Sequence, residues 1–263
     1  MDAATLRRDR LADLTATRGF IRVRDAAALL RVSEVTIRGD LSALEEAGTV
    51  VRIHGGAMPQ RGSDAEATIE QTVAVAPDAK REIGAAAAAM VSSGQSVILD
   101  VGSTALAVAT ALVARTDLEG VSIITNGLSI ALALEAAIPS FTVVVTGGTL
   151  RTQQHSLVNP GASTFLESLH ADLAFIGCNG IDTVRGVTNV NYPEAEVKRR
   201  MMLSSKRSVL IADAEKLGQS HLGVIGAVNE FDLLITSETA ELAQLDRLRE
   251  SGLEVLIAPS ARR

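Results

Sequence analysis

The chain has 263 residues, of which 47% are hydrophobic, and this length and composition predict a sizeable core and about two domains. No apolar run approaches the roughly 18 residues of a membrane span, and the first residues lack the apolar core of a signal peptide, so we expect a cytoplasmic protein with no membrane partner. The single cysteine, Cys178, excludes an internal disulfide and a cysteine-rich metal site.

The net charge of −6 argues superficially against nucleic-acid binding, but the charge is unevenly distributed. Residues 1–58 carry nine arginines and eight acidic residues, a net charge of +1, which leaves −7 for the remainder. The placement of these charges, rather than the pI of the whole chain, therefore decides whether this segment binds DNA. Arginine can bind guanine edges or phosphates, but it also forms ordinary surface ion pairs.

Residues 1–58 contain three predicted helices followed by strand-forming residues. Asp25 is the expected N-cap of the second helix. The third helix lies within RVSEVTIRGDLSALEEAG, where Ser33 is the expected N-cap and Gly48 follows the C-terminus. The next segment, TVVRIHGGAM, combines strand formers with a glycine pair. This order of helices and hairpin is typical of a winged helix-turn-helix domain.

The third helix has one apolar face and one face suited to a major groove. At about 100° per residue, the apolar face carries Ile37, Leu41 and Leu44. The opposite face carries Val35, Gly39, Ser42 and Glu46, with Thr36 and Arg38 on its flanks. The pattern alone fits an ordinary surface helix equally well. Arg52 and His54 lie on a candidate wing beside the groove, and this position favours DNA binding.

Residues 59–79 have no strong periodicity and contain two prolines, so we predict a linker with room for a short helix. From residue 80 to 263, seven apolar runs of strand length follow an alanine-rich helix, with helical stretches between most of them. They are SVILDVG, VSIIT, FTVVVTGG, DLAFIGCNG, SVLIADA, DLLITS and LEVLIAP. This alternation predicts an α/β fold with a doubly wound, mostly parallel sheet covered on both faces.

Four loops after predicted strands are small and polar, and such loops bind ligands at the ends of a doubly wound sheet. Their candidate ligand-binding residues are Asp100, Gly102, Ser103, Thr104, Thr125, Asn126, Gly127, Gly147, Gly148, Arg151 and Lys216. Each loop alone is more often a simple chain reversal. Four together, two of them with a cation, favour a small anionic ligand such as a phosphate ester. None matches a nucleotide-binding fingerprint.

The segment from GID to NVNYPEAEVKR raises an enzymatic alternative. Its Asp182, Glu194, Glu196 and Lys198 could supply general acid and base groups for aldose–ketose isomerisation. Glu194 and Lys198 are four residues apart on a predicted helix, so a surface ion pair is an equally good interpretation. The four histidines show no metal-ligand spacing, and we expect neither a metal nor a cofactor. For Cys178, a buried packing thiol is favoured over a redox sensor.

The segment AALLRVSEVTIRGDLSALEEAGTVVRIHGGA resembles the N-terminal domain of the DeoR family of bacterial transcription regulators. The family pattern is vS..TIRRDL..Le..G...R.hGGA. The resemblance implies that operator DNA is bound by Ser33, Thr36, Arg38, Arg52 and His54. Gly39 departs from the pattern, because the family usually carries a second arginine there. We retain Gly39 as a DNA-facing position.

The segments LDVGSTALAVA, IITNGLSIA, VTGGTLR, FIGCNGID, GVTNVNYPEAEVKRRMM and IADAEKLG resemble the DeoR-family effector domain. The resemblance implies a fold similar to ribose-5-phosphate isomerase and a phosphorylated sugar or related metabolite as effector. The glycine run before the isomerase's catalytic glutamate is absent from GVTNVNYPEAE, so we expect binding without chemistry. Glu194, Asn179, Asp182 and Lys198 would then lie near the sugar. Asn159 stands where the family usually has glycine.

We therefore predict a transcriptional regulator that represses carbohydrate-metabolism genes and is modulated by a phosphorylated sugar-like effector. The predicted domains are residues 1–58 for DNA binding, 59–79 as linker and 80–263 for effector binding and oligomerisation. We expect a homo-oligomer, because dimers read paired half-sites. We expect no catalytic residues. The alternatives are a sugar-phosphate isomerase with an accessory N-terminal domain, and an activator instead of a repressor.

Overall fold

The computed structural model describes residues 3–18, 21–53, 55–59 and 66–260. It divides into two compact units, Met1–Glu66 and Ala67–Arg263. Residues 67–79, which the sequence assigns to a linker, belong to the second unit, and the predicted domain limits remain predictions. Among the described residues, no helix is long and apolar enough to cross a membrane.

The first unit has the predicted order of helices and hairpin. Its elements are α1 (Ala3–Arg18), β1 (Ile21–Arg22), α2 (Val23–Leu30), α3 (Glu34–Glu46), β2 (Val50–Ile53) and β3 (Gly56–Pro59). The strands form an antiparallel sheet in the order β1-β3-β2. The predicted N-cap of α2 is wrong, because the helix begins at Val23 and Asp25 lies within its first turn.

Helix α3 begins and ends where the sequence predicts. The Ser33 hydroxyl accepts a hydrogen bond from the Thr36 amide at 3.1 Å, which satisfies a free N–H of the first turn. Gly48 has a φ of +68°, and Thr49 N donates to Leu44 O at 2.8 Å, which closes the last turn. The predicted apolar face is buried in the core of this unit, so the opposite face points outward.

Asp40 anchors α3 to α1 on the buried side. Its carboxylate is 3% exposed and accepts hydrogen bonds from Arg7 Nε at 2.5 Å and Nη2 at 3.1 Å, and from Arg8 Nε at 3.2 Å. Burial raises the pKa of the Asp40 carboxyl, but the hydrogen bonds and charges of the two arginines outweigh burial, and the pKa is lowered. The orientation of α3 therefore depends on an ionised Asp40.

The second unit begins with α4 (Ile69–Val73), α5 (Pro77–Ala89), β4 (Ser96–Leu99), α6 (Ser103–Val113), β5 (Val121–Thr125), α7 (Leu128–Leu134) and β6 (Phe141–Val145). It continues with β7 (Thr149–Arg151), β8 (Ser156–Val158), α8 (Gly161–Glu167), β9 (Ala171–Ile176), β10 (Gly180–Asp182), β11 (Gly186–Asn189) and α9 (Tyr192–Leu203). It ends with β12 (Ser205–Ile211), β13 (Gly223–Gly226), β14 (Leu233–Thr236), α10 (Leu242–Glu250) and β15 (Glu254–Ile257).

All seven predicted strands form one sheet in the order β15-β14-β12-β9-β4-β5-β6, and every neighbouring pair is parallel. The predicted fold class is therefore confirmed. After β4 the chain adds β5 and β6 on one side, and from β9 onward it adds strands on the other. The loops after β4 and β9 consequently flank the topological switch point, where ligands bind in sheets of this kind.

Helices cover both faces of the sheet. Buried side chains of α5, α6 and α7 pack on one face, and those of α8, α9 and α10 pack on the other. The alanine-rich α5 lies close to α6, and a Cβ on Gly84 would be 2.7 Å from the Ala107 carbonyl carbon. Close helix packing thus accounts for the glycine and the alanines on the buried side of α5, while Ala85 and Ala89 are exposed. The hairpin β7–β8 and the small antiparallel sheet β10-β11-β13 were not predicted.

We predict that Asp40→Asn destabilises the first unit by about 2 kcal/mol, because buried hydrogen bonds to a charged group are lost. Faster hydrogen exchange of α1 and α3 amides at pH 7 would measure this loss. Because the folded-state pKa is lowered, the contribution of Asp40 is present above the ordinary value of 3.8 and is lost as pH falls through the folded value. The two proteins should therefore become alike in acid.

Glu46→Gln is the matched control, since Glu46 is exposed on the same helix. Its exchange rates should equal those of the wild type. Equal exchange in Asp40→Asn and the wild type at pH 7 would contradict the anchoring role.

Candidate functional site

The outward face of α3 has little side chain at its centre. Val35 is 75% exposed, and Gly39 follows one turn later. A Cβ at position 39 would meet no described atom within 4 Å outside the helix's own backbone, so packing within the protein does not require glycine there. Glycine in a helix interior costs about 1 kcal/mol relative to alanine. The first unit thus accepts a less stable helix at its exposed surface.

Two arginines on either side of this face make exposed contacts. Arg38 Nη2 lies 2.6 Å from Glu34 Oε2, one turn earlier in the helix. Arg52 on β2 donates to the Ser42 hydroxyl at 2.7 Å, and its guanidinium lies 4.0 Å from Glu45 Oε2. Exposed pairs of this kind contribute roughly 0.2–1 kcal/mol, so a phosphate can replace the carboxylates at little cost.

A cleft of about 340 Å³ lies between the starts of α2 and α3 and the hairpin. It is lined by Arg22, Val23, Arg24, Glu34, Arg38, Arg52, Gly55 and Gly56. Four guanidinium groups face one carboxylate, a formal charge of +3. Arg22 and Arg24 were not predicted as functional residues, although their alternation in IRVRD was a usable signal. His54 lies outside the described residues.

The second group of functional candidates lies at the switch point of the large sheet. Asp100 directly follows β4 and is fully buried, and Lys198 on α9 is about as deeply buried. Lys198 Nζ donates to Asp100 Oδ2 and to Gly177 O, and the Gly177 amide donates to the same Asp100 oxygen at 2.9 Å. Burial opposes a charge on Lys198, but Asp100 and Glu194 outweigh burial and raise its pKa. Burial also raises the pKa of the Asp100 carboxyl, and the charge of Lys198 opposes that shift.

Glu194 is the centre of a neighbouring network. Arg151 Nη1 and the Ser156 hydroxyl both donate to Glu194 Oε1 at 2.5 Å, and Asn189 Nδ2 lies 3.4 Å from Oε2. Glu194 and Lys198 do not form the surface ion pair that was one of the two interpretations of their spacing. Both residues are buried, because their face of α9 packs on the sheet, and each pairs with a residue from a different strand end.

Several predicted loop residues lie beside these networks. Gly102 has a φ of +115° and precedes α6 without a side-chain cap, so Ser103 and Thr104 follow with their amides in the open first turn. Asn126 is buried and donates from Nδ2 to Leu157 O at 3.1 Å. Within the described chain, neither Asn126 Oδ1 nor Asp100 Oδ1 has a hydrogen-bond partner. Two buried acceptors thus remain unsatisfied near the start of α6.

Other predicted residues have roles in shaping the loops. The Gly127 amide donates to the Thr125 hydroxyl at 3.0 Å. Gly147 has a φ of +72°, and a Cβ on Gly148 would lie 2.2 Å from Val158 O, so only glycine fits there. Asn159, a departure from the family pattern, donates to Glu196 at 2.6 Å and joins the end of β8 to α9.

Asp182 and Asn179 lie at opposite ends of the hairpin β10–β11. Asp182 accepts hydrogen bonds from Val184 N at 2.9 Å and Arg185 N at 2.7 Å, and so shapes the turn. Asn179 accepts one from Val190 N at 2.9 Å at the end nearer the sheet. Asn179 therefore lies three residues after the end of β9, whereas Asp182 lies at the far turn of the hairpin, beside Leu217 and Gln244.

The loop after β12 contributes Lys216 and a residue that the sequence analysis missed. Lys216 is half-buried and makes no ion pair with any residue in the described ranges. Asp213 is buried, caps the following turn through Glu215 N at 3.1 Å, and has one oxygen without a described partner.

Burial raises the pKa of the Cys178 thiol to about 12, which supports a packing role.

Known families match both units. Residues 75–238 match the DeoR C terminal sensor domain, and residues 7–60 match the DeoR-like helix-turn-helix domain. The chain is 34% identical to the HTH-type transcriptional regulator GlpR of Haloferax volcanii, over 95% of this chain and 96% of that protein. It is 28% identical to the glycerol-3-phosphate regulon repressor of Haemophilus influenzae, over 90% and 91%.

Among solved structures, ribose 5-phosphate isomerase from Plasmodium falciparum aligns with a TM-score of 0.38 and 19% identity, over 52% of this chain and 51% of that one. The matched relatives are named as regulators, which confirms a regulator over the isomerase alternative. The sensor-domain match spans more than half of the residues, and the helix-turn-helix match covers the first unit's described elements from residue 7 within α1 onward. The chain belongs to the DeoR family of DNA-binding transcriptional regulators.

Proposed function

We propose that the chain represses carbohydrate-metabolism genes by binding operator DNA through its first unit, and that a phosphorylated sugar bound to its second unit changes this affinity. The observation that carries the proposal is the arginine-lined cleft beside the exposed face of α3. Such a cleft fits the phosphate backbone, while the start of α3 reaches the base edges.

The proposed DNA contacts combine the predicted residues with those of the cleft. They are Ser33, Thr36, Arg38, Gly39, Arg52 and His54, together with Arg22 and Arg24. The Arg52–Ser42 hydrogen bond supports this arrangement, because it holds the hairpin against α3. One such domain reads a short sequence, so we propose a homo-oligomer that pairs two half-sites.

The effector site is supported by the buried charges at the switch point. Asp100, Glu194, Arg151 and Lys198 sum to zero, since each cation is paired with an acid. A phosphate group would therefore bind the open amides at the start of α6 and the half-buried Lys216. The unsatisfied oxygens of Asp100 and Asn126 would accept hydrogen bonds from sugar hydroxyls.

The name of one relative, the glycerol-3-phosphate regulon repressor, supports a phosphate ester as the effector class. Control of transcription requires that this ligand bind the DNA-competent and DNA-free states with different affinity. Because of this difference in affinity, a ligand bound to the second unit changes how tightly the first unit binds DNA.

Gly39→Arg should strengthen non-specific DNA binding, because an exposed guanidinium is added where no described atom is in the way. The slope of log affinity against log salt should steepen by about one phosphate contact. Fluorescence anisotropy with a random-sequence duplex at several salt concentrations measures both quantities.

Ala85→Arg is the control for added charge, since Ala85 is exposed on α5 of the second unit. It should leave the salt slope unchanged. An unchanged slope in Gly39→Arg would mean that an arginine side chain at position 39 does not reach the DNA phosphates.

Sugar phosphates should raise the melting temperature of the full chain, because a ligand of the folded state stabilises it by about 2.7 kcal/mol at a concentration of 100 times Kd. A thermal-shift panel of phosphorylated sugars and their unphosphorylated parents would identify the class. Lys216→Gln should reduce the shift by removing a positive charge from the site.

Lys206→Gln provides the control for this panel. Lys206 pairs with Asp172 at 2.8 Å near the starts of β12 and β9, at the opposite ends of the strands from the proposed site. Its replacement should preserve the ligand-induced shift. Equal shifts with unphosphorylated sugars would refute the phosphate assignment, and a full shift in Lys216→Gln would remove that residue from the site.

Deletion of the gene distinguishes repression from activation. Transcripts of neighbouring genes should rise when a repressor is lost. A fall in those transcripts would identify an activator with the same two domains.

A further inference from the structure

Two positions on the exposed face of α3 carry residues that the fold itself does not favour. Val35 is β-branched and 75% exposed, so its side chain packs on little of the protein. Gly39 lies one turn later, where glycine is less favourable than any residue except proline. Open space surrounds a Cβ built at position 39, so crowding does not account for the glycine.

The polar side chains around these two positions already have partners. Arg38 is paired with Glu34 at 2.6 Å, and the hydroxyls of Ser33 and Thr36 are 2.8 Å apart. Ser42, one turn beyond Gly39, accepts a hydrogen bond from the Arg52 guanidinium at 2.7 Å. Between these polar groups, the centre of the face carries the isopropyl group of Val35 and the bare backbone of Gly39. We call this pair of residues the α3 notch.

Resting on the proposed DNA-binding role of α3, we infer that the α3 notch binds the C5-methyl group of a thymine. In the major groove, thymine presents a methyl group, and apolar side chains recognise it by direct contact. The missing side chain at Gly39 lets the helix approach the base edge, where Val35 packs on the methyl group. A thymine that contacts both residues explains why the helix carries an exposed valine and an interior glycine, although both weaken the isolated helix.

The test selects binding sites from a random DNA library with the full-length wild type, Val35→Ala and Gly39→Ala. The wild type should select a thymine at a position where both variants lose the preference. Replacing that thymine with uracil removes only the methyl group. Wild-type affinity should then fall about fourfold, the effect of burying one methyl-sized group, while Val35→Ala should change little.

Gly39→Ala separates recognition from folding. Alanine forms helices better than glycine and meets open space, so hydrogen exchange of α3 amides should slow. The thymine preference should fall, because the added methyl group fills the notch. If Gly39 were needed only for the fold, exchange would instead become faster.

Val184→Ala is the matched control, because Val184 is 91% exposed on the second unit. It should retain the wild-type site preference. Equal wild-type affinity for thymine and uracil sites would overturn the inference, as would an unchanged preference in Val35→Ala, and both results leave selective DNA binding intact. If the wild type selects no sequence at all, the proposed DNA recognition fails together with the inference.

Discussion

The position of the polar residues in the second unit depends on its parallel sheet. Both faces of the sheet are buried, so polar side chains can cluster only where the strands end. The strands themselves are apolar on both sides, and helices cover each side. Asp100 and Asn126 each follow a strand directly, Asp213 lies two residues after the end of β12, and all three are buried. Uncompensated charges in such a place would be costly, so the chain supplies partners from other elements. Ion pairs and hydrogen bonds consequently link the polar groups at these strand ends.

Helix α9 connects these polar groups. Lys198 reaches Asp100 at the end of β4, and Glu194 reaches Arg151 on the hairpin β7–β8. The two ion pairs lie one helical turn apart and link elements that are distant along the chain. Because every charge in this set is balanced, an anionic ligand is favoured only by groups outside it or by an exchange of partners. The same cluster thus connects α9 to β4 and to the hairpin β7–β8, and it is also a candidate ligand-binding site.

The first unit distributes its stability differently. Its small core holds the inner face of α3, and the buried Asp40 carboxylate joins that helix to the partly exposed Arg7 and Arg8 through two ion pairs. Caps at both ends fix the helix length. With the inner face and the ends secured, the outer face can carry Gly39 and an exposed Val35 at a tolerable loss of stability. The outer residues are therefore not needed to hold α3 in place and are available to bind a partner.

Local patterns by themselves determined the helices and hairpin of the first unit, the seven strands of the large sheet, and the caps and inward face of α3, because periodicity and capping are properties of neighbouring residues. They did not reveal the hairpin β7–β8 or the small sheet β10-β11-β13. Tertiary structure alone decided the charge partners. Glu194 and Lys198 have the spacing of a surface pair, yet the packing of α9 on the sheet buries both and gives each a different partner. It likewise assigned Asp182 to a turn and brought Arg22 and Arg24 into a cleft. Such pairings depend on which strand ends and loops become neighbours, and no local period encodes them.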